Sequence, residues 1–224
     1  MNMRKKLDIS AYLVVGPENT LGRPVGDIIR AAVENGFTCL QIRSKTASAR
    51  ELIALCREAA DVLQALGKAE DVVLAAREAG IKVDGIHVGQ SHIPVAVCRK
   101  FLGPEAVIGL SARTQELLNY VRQADTRVID YFGAGPLHET ATKPDCGRDA
   151  AGHIITRSFE ELTELHAISP VPVVVGGGVK ARDLPALRKT GVDGFFVVSA
   201  VAGADDPAAA ARELVATWKA APRS

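Results

Sequence analysis

The segment Gln41-Ile42-Arg43-Ser44-Lys45 sets an amide, a guanidinium and an ammonium at every second residue. In extended backbone that spacing turns all three to one side. A planar fork of donors beside a point cation suits a pyrophosphate, although a strand end with solvated charges has the same composition. His87, in His87-Val88-Gly89-Gln90-Ser91-His92, is either a ligand contact or a structural histidine satisfied by its neighbours. Gly133-Ala134-Gly135-Pro136 leads into Thr140-Ala141-Thr142-Lys143-Pro144-Asp145. Turn chemistry explains the Gly and Pro, while two hydroxyls and an ammonium are the donors that surround an anionic oxygen. Gly176-Gly177-Gly178 and Ser199-Ala200 add a fourth station, since glycines let backbone N–H groups approach a phosphate.

Short β-branched runs carry these stations and alternate with stretches of helical period, the order of parallel strands joined by crossover helices. Seven strands are expected, at Ala11 to Val15, Cys39 to Arg43, Asp84 to Val88, Ala106 to Ser111, Asp130 to Gly133, Val171 to Val175 and Gly194 to Ser199. Ala49 to Leu66 places Leu52, Ile53, Leu55, Cys56, Ala59, Ala60, Leu63 and Leu66 at spacings of three and four, a helical stripe. Asp206 and Pro207 mark the start of a last helix whose inward face is Leu214, Val215 and Trp218. Glycine then a short return into a strand recurs at Gly36, Gly80 and Gly191. A (β/α)8 barrel follows, with a doubly wound open sheet as the alternative. In such barrels the chemistry sits where strands end, which is where the four stations fall.

The chain has 224 residues, 47% hydrophobic and 24% charged, with 27 Lys plus Arg against 26 Asp plus Glu. That composition fits one folded domain over 1–224 and excludes disorder as the main state. The charge balance argues against a general nucleic-acid or acidic-lipid binder. Met1 to Leu7 lacks the apolar core of a signal peptide and no run approaches the ~20 apolar residues of a membrane helix, so the expected place is the cytoplasm, with no membrane partner. Cys39, Cys56, Cys98 and Cys146 form no CxxC pair, which gives neither a disulfide framework nor a zinc site.

Taken together, QIRSK, GIHVGQ, IGLS, GAGP leading to TATKPD, VVVGGGV and VVSA follow one another over nearly the whole chain. In that order the sequence resembles the thiamine phosphate synthase family. The resemblance implies a (β/α)8 barrel that joins hydroxymethylpyrimidine pyrophosphate to a thiazole phosphate with Mg²⁺, releasing pyrophosphate by a dissociative path. It further implies that Gln41, Arg43 and Lys45 hold the pyrophosphate and that Lys143 assists its departure. By the same resemblance Ser111 lies near the pyrimidine and leaving group, and Thr140, Thr142, Gly177, Val198 and Ser199 hold the thiazole phosphate. Partners are then phosphorylated small molecules, with a homo-oligomer as an analogy.

Two departures from the family pattern concern the metal. The family's third strand ends in Asn-Asp or Asp-Asp followed by Arg, and no such acidic segment occurs between Ala65 and Gly80. Gly67 to Val83 is also too short for a loop, strand, loop, helix and further loop, which need roughly 25 residues at ordinary lengths. Strand three is therefore expected to be shortened or absent, with Asp71 to Ala79 helical and strands two and four forced together or parted by a gap; the alternative is a cramped strand at Val72 to Leu74, with Glu70 and Asp71 ahead of it at the wrong end of the barrel for a metal. His92 stands where the family has its other metal carboxylate, and imidazole is a poor ligand for a hard cation. Both protein ligands being lost, Mg²⁺ binding and turnover are expected to be impaired. Two other readings remain beside it: a thiazole tautomerase-like isomerase, whose histidine motif at strand six is not matched by Phe132-Gly133-Ala134-Gly135-Pro136 although His138 is near, and a non-catalytic phosphate-ligand binding or regulatory protein.

Overall fold

A computed structural model describes residues 3–76, 83–90, 93–112, 116–140 and 152–223. Eight parallel strands close into a barrel in sequence order. They are β1 (Ala11–Val15), β2 (Cys39–Ile42), β3 (Val73–Ala76), β4 (Gly85–Val88), β5 (Val107–Ala112), β6 (Tyr131–Ala134), β7 (Val173–Gly176) and β8 (Gly194–Val197). The described helices around them are α1 (Val25–Glu34), α2 (Ala49–Ala65), α3 (Val95–Leu102), α4 (Leu117–Gln123), α5 (Phe159–Ile168), α6 (Leu184–Lys189), α7 (Ser199–Ala202) and α8 (Pro207–Ala220).

The sequence expectation for strand three needs correction. Val73–Ala76 is not the start of a helix: it pairs with β2 over four residues, from Cys39↔Val73 to Ile42↔Ala76, and with β4 through Ala75↔Gly85 and Ala76↔Ile86. Strands two and four are thus neither fused nor parted. What is short is the crossover, residues 77–84, against the dozen or more that a parallel connection ordinarily takes. Barrel closure explains the outcome, because omitting one strand would leave two edges of unpaired backbone groups. Val73, Leu74 and Ala75 are buried on both faces of the sheet, a gain that outweighs the helix propensity of the Ala-rich run.

Alternation divides the strand residues into two cores. Leu13, Leu40, Ile42, Leu74, Ile108, Phe132, Val175 and Phe195 point outward and pack against the helices. Tyr12, Val14, Cys39, Val73, Val107, Tyr131 and Val174 point into the barrel. Helix α2 starts on a capping box in which the Glu51 N–H donates to Ser48 Oγ at 3.3 Å and the Ser48 N–H to Glu51 Oε2 at 2.7 Å. Helix α8 begins at Asp206, whose carboxylate accepts from the Ala209 N–H at 2.9 Å, with Pro207 in its first turn. Helix α1 ends at Gly36, at φ +97°, a value that L side chains rarely adopt.

A repeated device closes the lower, N-terminal rim. The residue before each even-numbered strand bonds the first residues of its neighbour with both backbone and side chain. Asp84, Asp130 and Asp193 donate their N–H to Leu74, Ile108 and Val173 at 2.9, 2.8 and 2.8 Å. Their carboxylates accept the N–H of the same three residues at 2.9, 2.7 and 2.9 Å. Thr38 does the same for Ala11, its Oγ1 accepting at 3.4 Å. Asp130 also takes Arg99 Nη2 at 2.7 Å and is bonded by Arg4 Nε.

Candidate active site

The opposite rim opens into a cavity of about 440 Å³. The alternation that separates the two cores decides which residues reach it. On β2, Cys39 and Gln41 face inward and Arg43 follows on the same side; on β4 it is His87, on β5 Ser111, on β8 the next position, Val198. Gln41, Arg43, His87 and Ser111 line the hollow from β2, β4 and β5 and the residue after β2; Thr140, Gly177 and Val198, in the segments after β6, β7 and β8, and Ser199 at the start of α7 line it too. Gln41 and Ser111 are each about one-twentieth exposed, so their polar atoms have few partners other than neighbours and a ligand.

Lys45 sits apart from the residues that line the cavity and is exposed. Strand β2 ends at Ile42, so the alternation that carries Arg43 inward is lost two residues later. The loop is held instead by Glu18, whose Oε1 accepts from the Lys45 N–H at 2.9 Å, the Thr46 hydroxyl at 2.9 Å, the Thr46 N–H at 3.3 Å and the Ser44 hydroxyl. Partial burial raises the Glu18 carboxyl pKa, but these hydrogen bonds outweigh it and bring it down to about 2. Thr142, Lys143 and His92 lie outside the described residues.

Several lining residues carry no signal in the motifs. Tyr12, Phe196, Lys180 and Glu213 border the cavity. Tyr12 and Phe196 occupy inward positions of β1 and β8, so strand alternation alone could have marked them. Gly177 and Gly178 have φ of +84° and +72°, and a Cβ on Gly177 would stand 2.5 Å from Pro136 Cβ. The glycines thus let the loop after β7 pack onto the Gly135-Pro136 turn, where Leu137 and His138 N–H groups donate to Gly177 O at 3.1 and 3.0 Å.

Burial raises the Tyr12 and Tyr131 hydroxyls well above their ordinary pKa, so both are neutral donors. Burial also raises the thiols of Cys39, Cys56 and Cys98, which leaves them protonated and apolar in character. His138 Nε2 lies 3.1 Å from Asp183 Oδ1 with its side chain half exposed, and it is not among the residues that line the cavity. Strand β3 ends in Ala75-Ala76, followed by Arg77 in the sequence. The third strand, expected to be shortened or absent, is therefore present, and as expected it does not end in the family's carboxylates. Among the described residues no three His, Cys, Asp or Glu side chains come together as metal ligands, and no helix is long and apolar enough to cross a membrane.

The thiamine monophosphate synthase family model matches residues 11–201. The thiamine-phosphate synthase of Corynebacterium efficiens is 40% identical over 220 residues, covering 95% of this chain and 96% of that protein. The thiamine-phosphate synthase of Moorella thermoacetica is 35% identical, with 91% and 92% covered. A thiamine phosphate pyrophosphorylase structure from Pyrococcus furiosus superposes with a TM-score of 0.78 at 26% identity, covering 97% of this chain and 98% of that one. Barrel, cavity and sequence agree, and the chain belongs to the thiamine monophosphate synthase family.

Proposed function

We propose that this chain joins hydroxymethylpyrimidine pyrophosphate to a thiazole phosphate, forming thiamine phosphate and pyrophosphate, with Gln41, Arg43 and Ser111 on the pyrophosphate side and Thr140, Gly177, Val198 and Ser199 on the thiazole phosphate side. One observation carries it: residues of all four stations of the sequence, among them Gln41, Arg43, His87, Thr140, Gly177 and Ser199, border a single cavity of about 440 Å³ together with Ser111 and Val198, within the usual range for a small-molecule site. In the reaction the bond between the pyrimidine methylene carbon and the pyrophosphate oxygen breaks, both electrons leaving with the oxygen. The thiazole nitrogen lone pair then forms the new C–N bond to the methylene cation. The balance needs no general base, and charge on the departing oxygens is the largest demand on the protein. The Arg43 guanidinium meets that demand as a fork of donors, the Gln41 amide and Ser111 hydroxyl add neutral donors, and Lys143 is the further cation.

Mg²⁺ is the family's cofactor, and it requires hard oxygen ligands. Strand β3 carries no carboxylate, its sequence being Val73-Leu74-Ala75-Ala76, and residue 92 is a histidine. The described donors do not fit a Mg²⁺ held by the protein. We place the neutralisation of the leaving group on Arg43, Lys143 and the N–H and O–H donors, at a turnover lower than in relatives whose third strand ends in carboxylates.

Purified protein incubated with both substrates, with and without Mg²⁺, tests the proposal. Thiamine phosphate and pyrophosphate are expected in equal amounts. Absence of product under both conditions overturns the reaction, and a relative-like rate that collapses on chelation overturns the account of the metal.

A further inference from the structure

We infer that Tyr131 is a positioning residue that holds His87 as its Nε2–H tautomer, and so turns the Ser111 hydroxyl proton toward the cavity. Four side chains form a hydrogen-bonded line through the barrel interior. Tyr12 Oη is 3.0 Å from Tyr131 Oη, Tyr131 Oη is 2.9 Å from His87 Nδ1, and His87 Nε2 is 2.9 Å from Ser111 Oγ. Tyr12, His87 and Ser111 border the cavity; Tyr131 stands behind them, 1% exposed.

The direction of the line follows from where each proton can go. Among the described residues Tyr12 Oη has Tyr131 Oη as its partner, and a buried O–H without an acceptor costs about 1–3 kcal/mol. Tyr12 therefore donates to Tyr131, and the Tyr131 proton goes to His87 Nδ1. A neutral imidazole that accepts at Nδ1 carries its proton on Nε2, from which it donates to Ser111 Oγ. Having accepted that bond, Ser111 keeps its own proton for a group in the cavity. Run in reverse, the line has Ser111 donate to His87 and leaves the Tyr12 proton with no acceptor among the described residues. The two directions offer opposite chemistry to a ligand: a donor for an anionic oxygen, or a pair of lone pairs that repel it.

The surrounding strands make room for this line. A Cβ on Gly109 would lie 2.2 Å from Tyr131 Cζ and 2.5 Å from His87 Nδ1, and one on Gly133 would lie 3.0 Å from His87 Cε1. The His87 and Tyr131 rings are 5.4 Å apart at 33°, so packing fixes their mutual orientation before any ligand arrives. The benefit of a donating Ser111 rests on the proposed departure of an anionic group in this cavity; the tautomer itself does not.

Long-range 15N–1H correlation spectra of the wild-type protein, recorded well above the ordinary imidazole pKa, test it directly, with the His87 signals identified by their loss in His87→Gln. A ring protonated on Nε2 is expected, and one protonated on Nδ1 overturns the inference. In Tyr131→Phe the Nδ1–H form should become populated, and kcat should fall about tenfold, the worth of one hydrogen bond, with KM for the pyrophosphate substrate little changed. An unshifted tautomer, or a shifted one with unchanged kcat, overturns the positioning role. Tyr12→Phe removes a hydroxyl from the same cluster yet leaves Tyr131 with His87 as acceptor, so it should retain the Nε2–H form; an Nδ1–H ring there overturns the argument even if Tyr131→Phe fails to fold. If the wild-type protein makes no thiamine phosphate, the proposed reaction fails while the spectra still decide the tautomer.

Discussion

The two rims of this barrel use similar side chains for opposite ends. At the N-terminal rim, Thr38, Asp84, Asp130 and Asp193 direct their oxygens at the backbone of the neighbouring strand. At the mouth, Gln41, Arg43, His87 and Ser111 border a cavity. The difference lies in position along the strand: a polar residue just before a strand meets the N–H groups at its neighbour's start, whereas one at the end meets the hollow above the packed interior. Stability is therefore concentrated below and chemistry above, the division general to this architecture.

The largest effect should come from breaking the lower rim. Asp130→Ala would leave Arg99, 14% exposed, and the Ile108 N–H without their shared acceptor. A loss of about 3–5 kcal/mol is expected, as for other broken buried pairs, read by urea denaturation, with kcat of the folded protein unchanged. The mouth should behave in reverse. Ser111→Ala and Arg43→Ala should each lower kcat by about 10²–10³, the usual worth of a donor to developing negative charge; the unfolding midpoint should hold in Arg43→Ala, whereas Ser111→Ala also takes the acceptor from the His87 Nε2–H. An Arg43→Ala protein that loses stability instead would erase the distinction between the rims.

Gly109→Ala tests the region between them. The added Cβ would overlap the Tyr131 ring, so a destabilisation of about 1–3 kcal/mol from overpacking is expected, together with a displaced His87 and reduced turnover. Glu18 gives the smallest effect. Its folded pKa is about 2 against an ordinary 4.5, so its contribution is present above pH 4.5 and is lost as pH falls toward 2. NMR titration of the Glu18 carboxyl should show that midpoint, and Glu18→Gln should loosen the loop 44–46 and remove that acid dependence.

Much of this was legible in the chain. The bounds of α2, the Asp206 start of α8 and seven of the eight strands follow from periodicity, capping chemistry and glycine stops, because these are local preferences that tertiary packing reinforces. That residues of the four stations would border one hollow was legible because strand alternation and the position of barrel sites are general. Lys45 misled, since alternation was carried past the point where β2 ends and Glu18 captures the backbone. Tyr12 and Tyr131 were passed over because a tyrosine on a strand reads as core until its hydroxyl is seen to have a partner.

The sequence alone determined the order of strands and helices, the family pattern, and the loss of the family's acidic third-strand end. Tertiary structure alone decided that Val73–Ala76 is a strand and that Tyr131 reaches His87. Both are long-range outcomes: the first is imposed by two neighbouring strands whose backbone groups would otherwise go unpaired, the second by bringing β1, β4, β5 and β6 around one interior. No window of the sequence contains those partners, so no local preference could have revealed them.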